Sequence, residues 1–169
     1  MIKELFDENE VAVVEGGIPE ATALLALPFN HIHFTGSPKV GKIVMEAAAK
    51  NLTAVTLELG GKSPVIIDGS TNLNSTAEKV CWGKTLNSGQ TCIAPEIALV
   101  QENALDGFVE GFKRAWEKFY DPDKKGIDQS KDYGRIINDT NFDRVQALLE
   151  DAKENGAKVE FGGEVNKQD

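Results

Sequence analysis

The sequence has little of what marks several large protein classes. Only two cysteines, Cys81 and Cys92, occur in 169 residues. That is too few for a disulfide framework, and a reducing, cytoplasmic setting is expected. With only two histidines, no zinc-ligand cluster can be assembled from the usual spacings. No apolar run is long enough to span a bilayer, and the opening MIKELFDENE carries acids where a secretory leader needs a basic start and an apolar stretch. Basic excess is missing too: the net charge is -9, spread over many short segments, which argues against a nucleic-acid surface and against anionic lipid. Neither membrane nor nucleic acid is expected as a partner. There are no internal repeats or low-complexity tracts, and neither a Walker A run nor a GxGxxG fingerprint.

What is present is a chain with 41% hydrophobic residues, enough to bury a core as one domain or two small ones. Val11 to Glu15 is a β-branched run closed by Gly16 and Gly17, and Pro19 to Leu27 has a short helical pattern stopped by Pro28. His31 to Phe34 alternates as a strand. Ser37 then makes a good N-cap and Pro38 suits the first turn of a helix with Val40, Ile43, Val44 and Ala47 as its apolar face. Ala54 to Leu59 reads as a second strand, with Ala54, Thr56 and Glu58 on one face and Val55, Leu57 and Leu59 on the other.

After Gly60 and Gly61, which read as a sharp passage where side chains would obstruct, the pattern restarts. Pro64 to Asp68 is a strand, Leu73, Ala77, Val80 and Cys81 form a helical stripe, and Ile97 to Gln101 is another strand. Leu105, Phe108, Val109, Phe112, Trp116 and Phe119 mark a long amphipathic helix, followed by a polar loop from Asp121 to Asp132. Phe142, Val145, Leu149 and Ala152 mark a last helix with Gly156 at its C-terminus, and Lys158 to Phe161 reads as a strand. The expected fold is α/β: two consecutive strand-helix units with mainly parallel sheets.

Chemistry concentrates between Thr56 and Pro95. An unpaired cysteine is by default a small buried hydrophobe, and Cys81, on a helix stripe, fits that description. Cys92 differs. It sits between Gly89, Gln90, Thr91 and Pro95, in a polar turn whose backbone amides can favour a thiolate. Glu58 is flanked by Leu57 and Leu59 at the C-terminal end of a strand, where open α/β sheets hold their ligands. Partial burial there would make it a base for general catalysis. A thiolate that forms an acyl intermediate and a carboxylate that activates water together suggest covalent catalysis. Upstream, FTGSPKVG places Gly36 and Gly41 around a helix start where free amides and the Ser37 hydroxyl suit a diphosphate, with Lys39 and Lys42 nearby.

The runs LELGGKSP and NSGQTCIAP, with FTGSPKVG before them and DYGRIIND after, closely resemble the NAD(P)-dependent aldehyde dehydrogenase family, the last run being most similar to its shorter, class 3 branch. The likeness extends from about Val11 to about Phe161, with the four motifs in the family's order. It implies a partial aldehyde dehydrogenase fold, with 1–59 as the C-terminal part of the dinucleotide-binding domain and 60–169 as the N-terminal part of the catalytic domain. Cys92 is implied as nucleophile and Glu58 as the base for thioester hydrolysis. Gly36, Ser37, Gly41 and the Leu59 backbone are implied as contacts to NAD or NADP, and the substrate as an aldehyde.

The resemblance further implies that the family's upstream asparagine motif, ribose-reading strand and dimer arm lie outside this sequence. Self-association, or association with the remainder of the enzyme, is expected to cover the half-sheet this leaves open. Two alternatives stand beside the dehydrogenase reading. One is a stable but catalytically silent fragment acting as a structural module. The other is a CoA-acylating relative that shares Cys92 and has less need of Glu58.

Overall fold

The computed structural model describes residues 2–167. These divide into two compact units, one ending at Gly60 and the other beginning at Gly61. No helix among the described residues is long and apolar enough to cross a membrane.

The first unit holds α1 (Ile2–Leu5), α2 (Ile18–Leu25), β1 (His31–Thr35), α3 (Pro38–Ala49) and β2 (Ala54–Glu58). β1 and β2 pair in parallel, from His31 opposite Ala54 to Thr35 opposite Glu58. Their alternation is as the sequence predicts: Ile32, Phe34, Val55 and Leu57 face inward while the residues between them are exposed. Ser37 caps α3 by accepting the Val40 amide at 3.3 Å, and Pro38 fills the first turn, where its missing N–H costs nothing.

The buried face of α3 departs from the expected one. Gly41, Val44 and Ala48 are buried, whereas Val40 and Ile43 are exposed. Gly41 is what allows the close approach: a Cβ there would sit 3.0 Å from Leu59 Cδ2 and 3.6 Å from Leu57 Cδ1. The predicted strand at Val11 to Glu15 is not formed, because a β-branched run becomes a strand only beside a partner for its hydrogen bonds and none flanks it among the described residues.

The second unit contains β3 (Pro64–Ile67), α4 (Leu73–Thr85), β4 (Ile97–Val100), α5 (Leu105–Tyr120) and α6 (Asp139–Glu154), with short 3-10 turns at Leu86–Gly89, Glu102–Ala104 and Ile127–Gln129. β3 and β4 are parallel, Pro64 opposite Ile97 through Ile67 opposite Val100. Asn72 caps α4 and Asn138 caps α6, each through its side-chain oxygen. Ile67, Ala77 and Phe108 form the core, with Val65, Leu73, Val80, Val100 and Phe112 packed around them.

α4 and α5 meet through small residues. A Cβ on Gly111 would lie 2.9 Å from the Ala77 methyl, so glycine here is required by the closeness of α4 and α5. Arg114 and Lys118 of α5 tie the rim by donating to Asn74 Oδ1 and Glu78 Oε1 of α4, both at 2.6 Å. Leu105, expected on the buried stripe, is exposed, and Lys158 to Phe161 runs past α5 as irregular chain instead of a strand. The Phe161 ring meets Trp116 edge-on at 5.2 Å, so that segment is held by side-chain packing, not by a ladder.

Candidate functional site

The turn between β1 and α3 brings four expected residues of the first unit together. The Gly36 amide donates to the Glu58 carbonyl at 3.0 Å, extending the β ladder by one bond. Ser37 follows as the cap, and Gly41 accepts the Leu59 side chain one turn into the helix. Gly36 itself is dictated by close approach, since a Cβ would stand 2.5 Å from the Phe34 ring.

This turn suits an anion. The first turn of α3 has no acidic residue, Lys39 and Lys42 are exposed there, and the Lys39 amide has no intrahelical carbonyl to bond. Because Ser37 Oγ accepts from Val40, its hydroxyl proton stays free to donate outward. The residues present therefore fit a dinucleotide's diphosphate.

Glu58 ends β2 on the exposed face. The burial expected from its two leucine neighbours is not found, and the reason is geometric: successive strand side chains point to opposite faces, so Leu57 and Leu59 turn toward Gly41 and away from the carboxylate.

In the second unit the two thiols differ sharply. Cys81 of α4 is 0% exposed, and burial pushes its thiol up to about 11, which makes it inert. Cys92 is exposed in the loop that follows α4. That loop is conformationally unusual: Asn87, Ser88 and Gly89 have φ of 53°, 55° and 76° in succession. For the two non-glycine residues such a backbone costs about 1 to 3 kcal/mol each and persists only where the surroundings impose it.

What imposes it is a side chain with no signature in the sequence. Gln90, just before Thr91 and Cys92, donates through Nε2 to the carbonyls of Asn87 (2.9 Å) and Arg135 (3.2 Å) and accepts the Ile137 amide on Oε1 (2.9 Å). The run around Arg135 is thereby fixed to the loop that carries Cys92. A lone amide side chain in a polar run offers no periodicity to detect, so such a bond is invisible before the fold is known.

A charged cluster fixes the other flank. Glu96 bonds Lys84 at 2.8 Å and Lys62 at 3.1 Å, joining the end of α4 to the GGKSP turn beside Pro95. Gly61 completes the contact: a Cβ there would lie 3.4 Å from the Cys92 carbonyl oxygen, whereas one on Gly60 would meet nothing within 4 Å. The expectation that side chains at both glycines would obstruct the passage is therefore not met at Gly60, and nothing in the structure explains that residue.

The Lys84 ammonium first, and Lys62 second, hold the Glu96 carboxyl below its ordinary value of 4.5. A folded-state value depressed in this way stabilises above the unfolded value and is lost as pH falls through the folded one. Wild type is therefore expected to melt above Glu96→Gln at neutral pH, with the gap closing as the pH drops below 4.5. These are exposed pairs, so the difference should stay under about 1 kcal/mol. Parallel melting curves from pH 7 to pH 3 check it.

Comparison with known proteins gives a consistent result. The profile described as the aldehyde dehydrogenase family matches residues 3–169. "Aldehyde dehydrogenase, dimeric NADP-preferring" of Rattus norvegicus is 50% identical over 153 residues, which are 90% of this chain and 33% of that protein. "Aldehyde dehydrogenase family 3 member A2" of Mus musculus is 46% identical over 167 residues, 99% of this chain and 33% of that one. Among solved structures, the substrate-bound state of Staphylococcus aureus AldH superposes with a TM-score of 0.82 at 45% identity, covering 96% of this chain and 34% of that chain. The chain thus spans about a third of the length of these relatives.

Proposed function

Because the chain belongs to the aldehyde dehydrogenase family, on its class 3-like side, we propose that it carries the nucleophile and part of the cofactor turn of an enzyme that oxidises an aldehyde to a carboxylic acid with NAD or NADP. In this reading the first unit is the end of the dinucleotide-binding domain and the second the beginning of the catalytic domain. The observation that carries it is the contrast between the two thiols: one sealed in the core, the other exposed in a strained loop held by its own clamp.

Cys92 adds as thiolate to the aldehyde carbonyl carbon, forming a thiohemiacetal. The dinucleotide, when bound, supplies the hydride acceptor. Loss of hydride from the former aldehyde carbon leaves a thioester on Cys92. Glu58 removes a proton from water as the water attacks that thioester; the carboxylic acid departs and the thiolate returns. Gly36 and Ser37 present the helix N-terminus to the diphosphate, while Gly41 admits Leu59 so that the end of β2 stays close against that helix.

The test follows NAD(P)H absorbance over a panel of aldehydes with each cofactor while iodoacetamide titrates the thiols. The expected result is turnover that disappears in proportion to alkylated Cys92. Undiminished NAD(P)H formation with Cys92 fully alkylated would refute the nucleophile assignment.

A second reading is favoured by a specific observation. Parallel sheets occur with both faces covered, yet Ile66 is 81% exposed and Leu99, its partner in register, 56%. On this reading the chain alone is catalytically silent, and the remainder of the family's length, or a second copy of the chain, covers that face. Absence of turnover and of cofactor binding by the isolated chain, with turnover once the remaining length is supplied, is the outcome it requires.

A further inference from the structure

We infer that Gln90 is a positioning residue, clamping the Cys92 loop onto the segment 133–137 so that this segment sets where the nucleophile stands. The inference rests on reading Cys92 as the nucleophile, but its geometry stands apart from any turnover.

The clamp is two-sided. Gln90 gives one hydrogen to each of two carbonyls, Asn87 within the loop and Arg135 across from it, while its oxygen takes the Ile137 amide. A flipped amide would set oxygen against two carbonyls and nitrogen against an N–H, so the orientation is dictated by its partners. The Asn87 bond closes the left-handed turn on itself, and the Gln90 backbone amide returns to the same carbonyl at 3.1 Å. The other two bonds reach a segment more than forty positions away in sequence.

That segment is itself anchored. The Tyr133 ring meets Tyr120 edge-on at 5.0 Å, and the Tyr120 hydroxyl shares a 2.6 Å hydrogen bond with Thr85 in the core between α4 and α5. Gly134 lies so close to the loop that a Cβ would stand 3.2 Å from Ser88 Oγ, a buried oxygen with no hydrogen-bond partner. Arg135 reaches back to the Asp128 carbonyl at 3.1 Å. The segment is therefore a brace fixed to the helix pair, and Gln90 is the side chain through which it holds the loop. Two adjacent non-glycine residues with positive φ have no reason to stay so unless something outside the loop holds them.

Two variants test the inference by amide exchange and by thiol labelling on the intact chain. Gln90→Leu removes all three side-chain bonds. The Ile137 amide should then exchange about three to ten times faster, and iodoacetamide should label Cys92 faster by a similar factor, while buried Cys81 stays unlabelled. Gln90→Glu keeps an oxygen for the Ile137 amide but has no hydrogen for the Asn87 and Arg135 carbonyls at neutral pH. It should restore Ile137 protection while leaving Cys92 fast.

Unchanged Ile137 exchange and Cys92 labelling in Gln90→Leu would overturn the inference. So would labelling of Cys81 together with Cys92 in both variants, which would make Gln90 a general stabiliser of the unit. Failure of the wild-type chain to oxidise any aldehyde bears on the enzymatic reading alone, because neither readout needs turnover.

Discussion

Replacing Cys92 by alanine is expected to abolish the covalent adduct that wild type forms with aldehyde and NAD(P)+, and to lower NAD(P)H formation by at least about a thousandfold. Intact mass spectrometry reads the first effect and absorbance the second. Nothing else on the described chain offers a competing nucleophile of the same kind: Cys81 is fully buried, and its thiol, pushed up to about 11, contributes no thiolate at neutral pH. The matching control is Cys81→Ala, expected to cost about 1 kcal/mol of stability from the small cavity left beside Ala77 and to leave the adduct intact. A persistent acyl mass on Cys92→Ala would show that the chemistry runs through another residue.

The regular part of the fold was legible because it is local. The alternation of Val55 and Leu57 against Ala54, Thr56 and Glu58, the cap at Ser37 and the turn residue Pro38 each state their structure within a few positions. What escaped depends on distant partners or on small side chains. Val11 to Glu15 and Lys158 to Phe161 have strand composition, but a strand needs a neighbour that sequence does not name. On α3 and α5 the buried residues include Gly41, Ala48, Gly111 and Ala115, which a search for large apolar residues passes over.

The site divides in the same way. Cys92 stands out by its setting in the sequence and is exposed in the structure, while the Gln90 clamp and the Lys62, Glu96 and Lys84 cluster emerge only in three dimensions. Flanking leucines suggested a buried Glu58, and the pleat of β2 turned them to the other side.

Glu58→Gln is therefore the more searching experiment. The amide keeps the shape of the carboxylate and cannot take a proton, so the two halves of the proposed cycle should separate. Acylation of Cys92, read as the first NAD(P)H equivalent per thiol, should remain within about threefold of wild type, while hydrolysis slows by about a hundredfold to ten-thousandfold and acyl-enzyme accumulates. Because the carboxylate is exposed in the chain as described, the size of that slowing also reports whether water is excluded around it when substrate is bound. Equal slowing of both steps would make Glu58 a residue that orients substrate instead of a base. A slow hydrolysis bypassed by added coenzyme A, with acyl transfer as fast in the variant as in wild type, would favour the CoA-acylating relative, since a thiol acceptor needs no carboxylate to activate water.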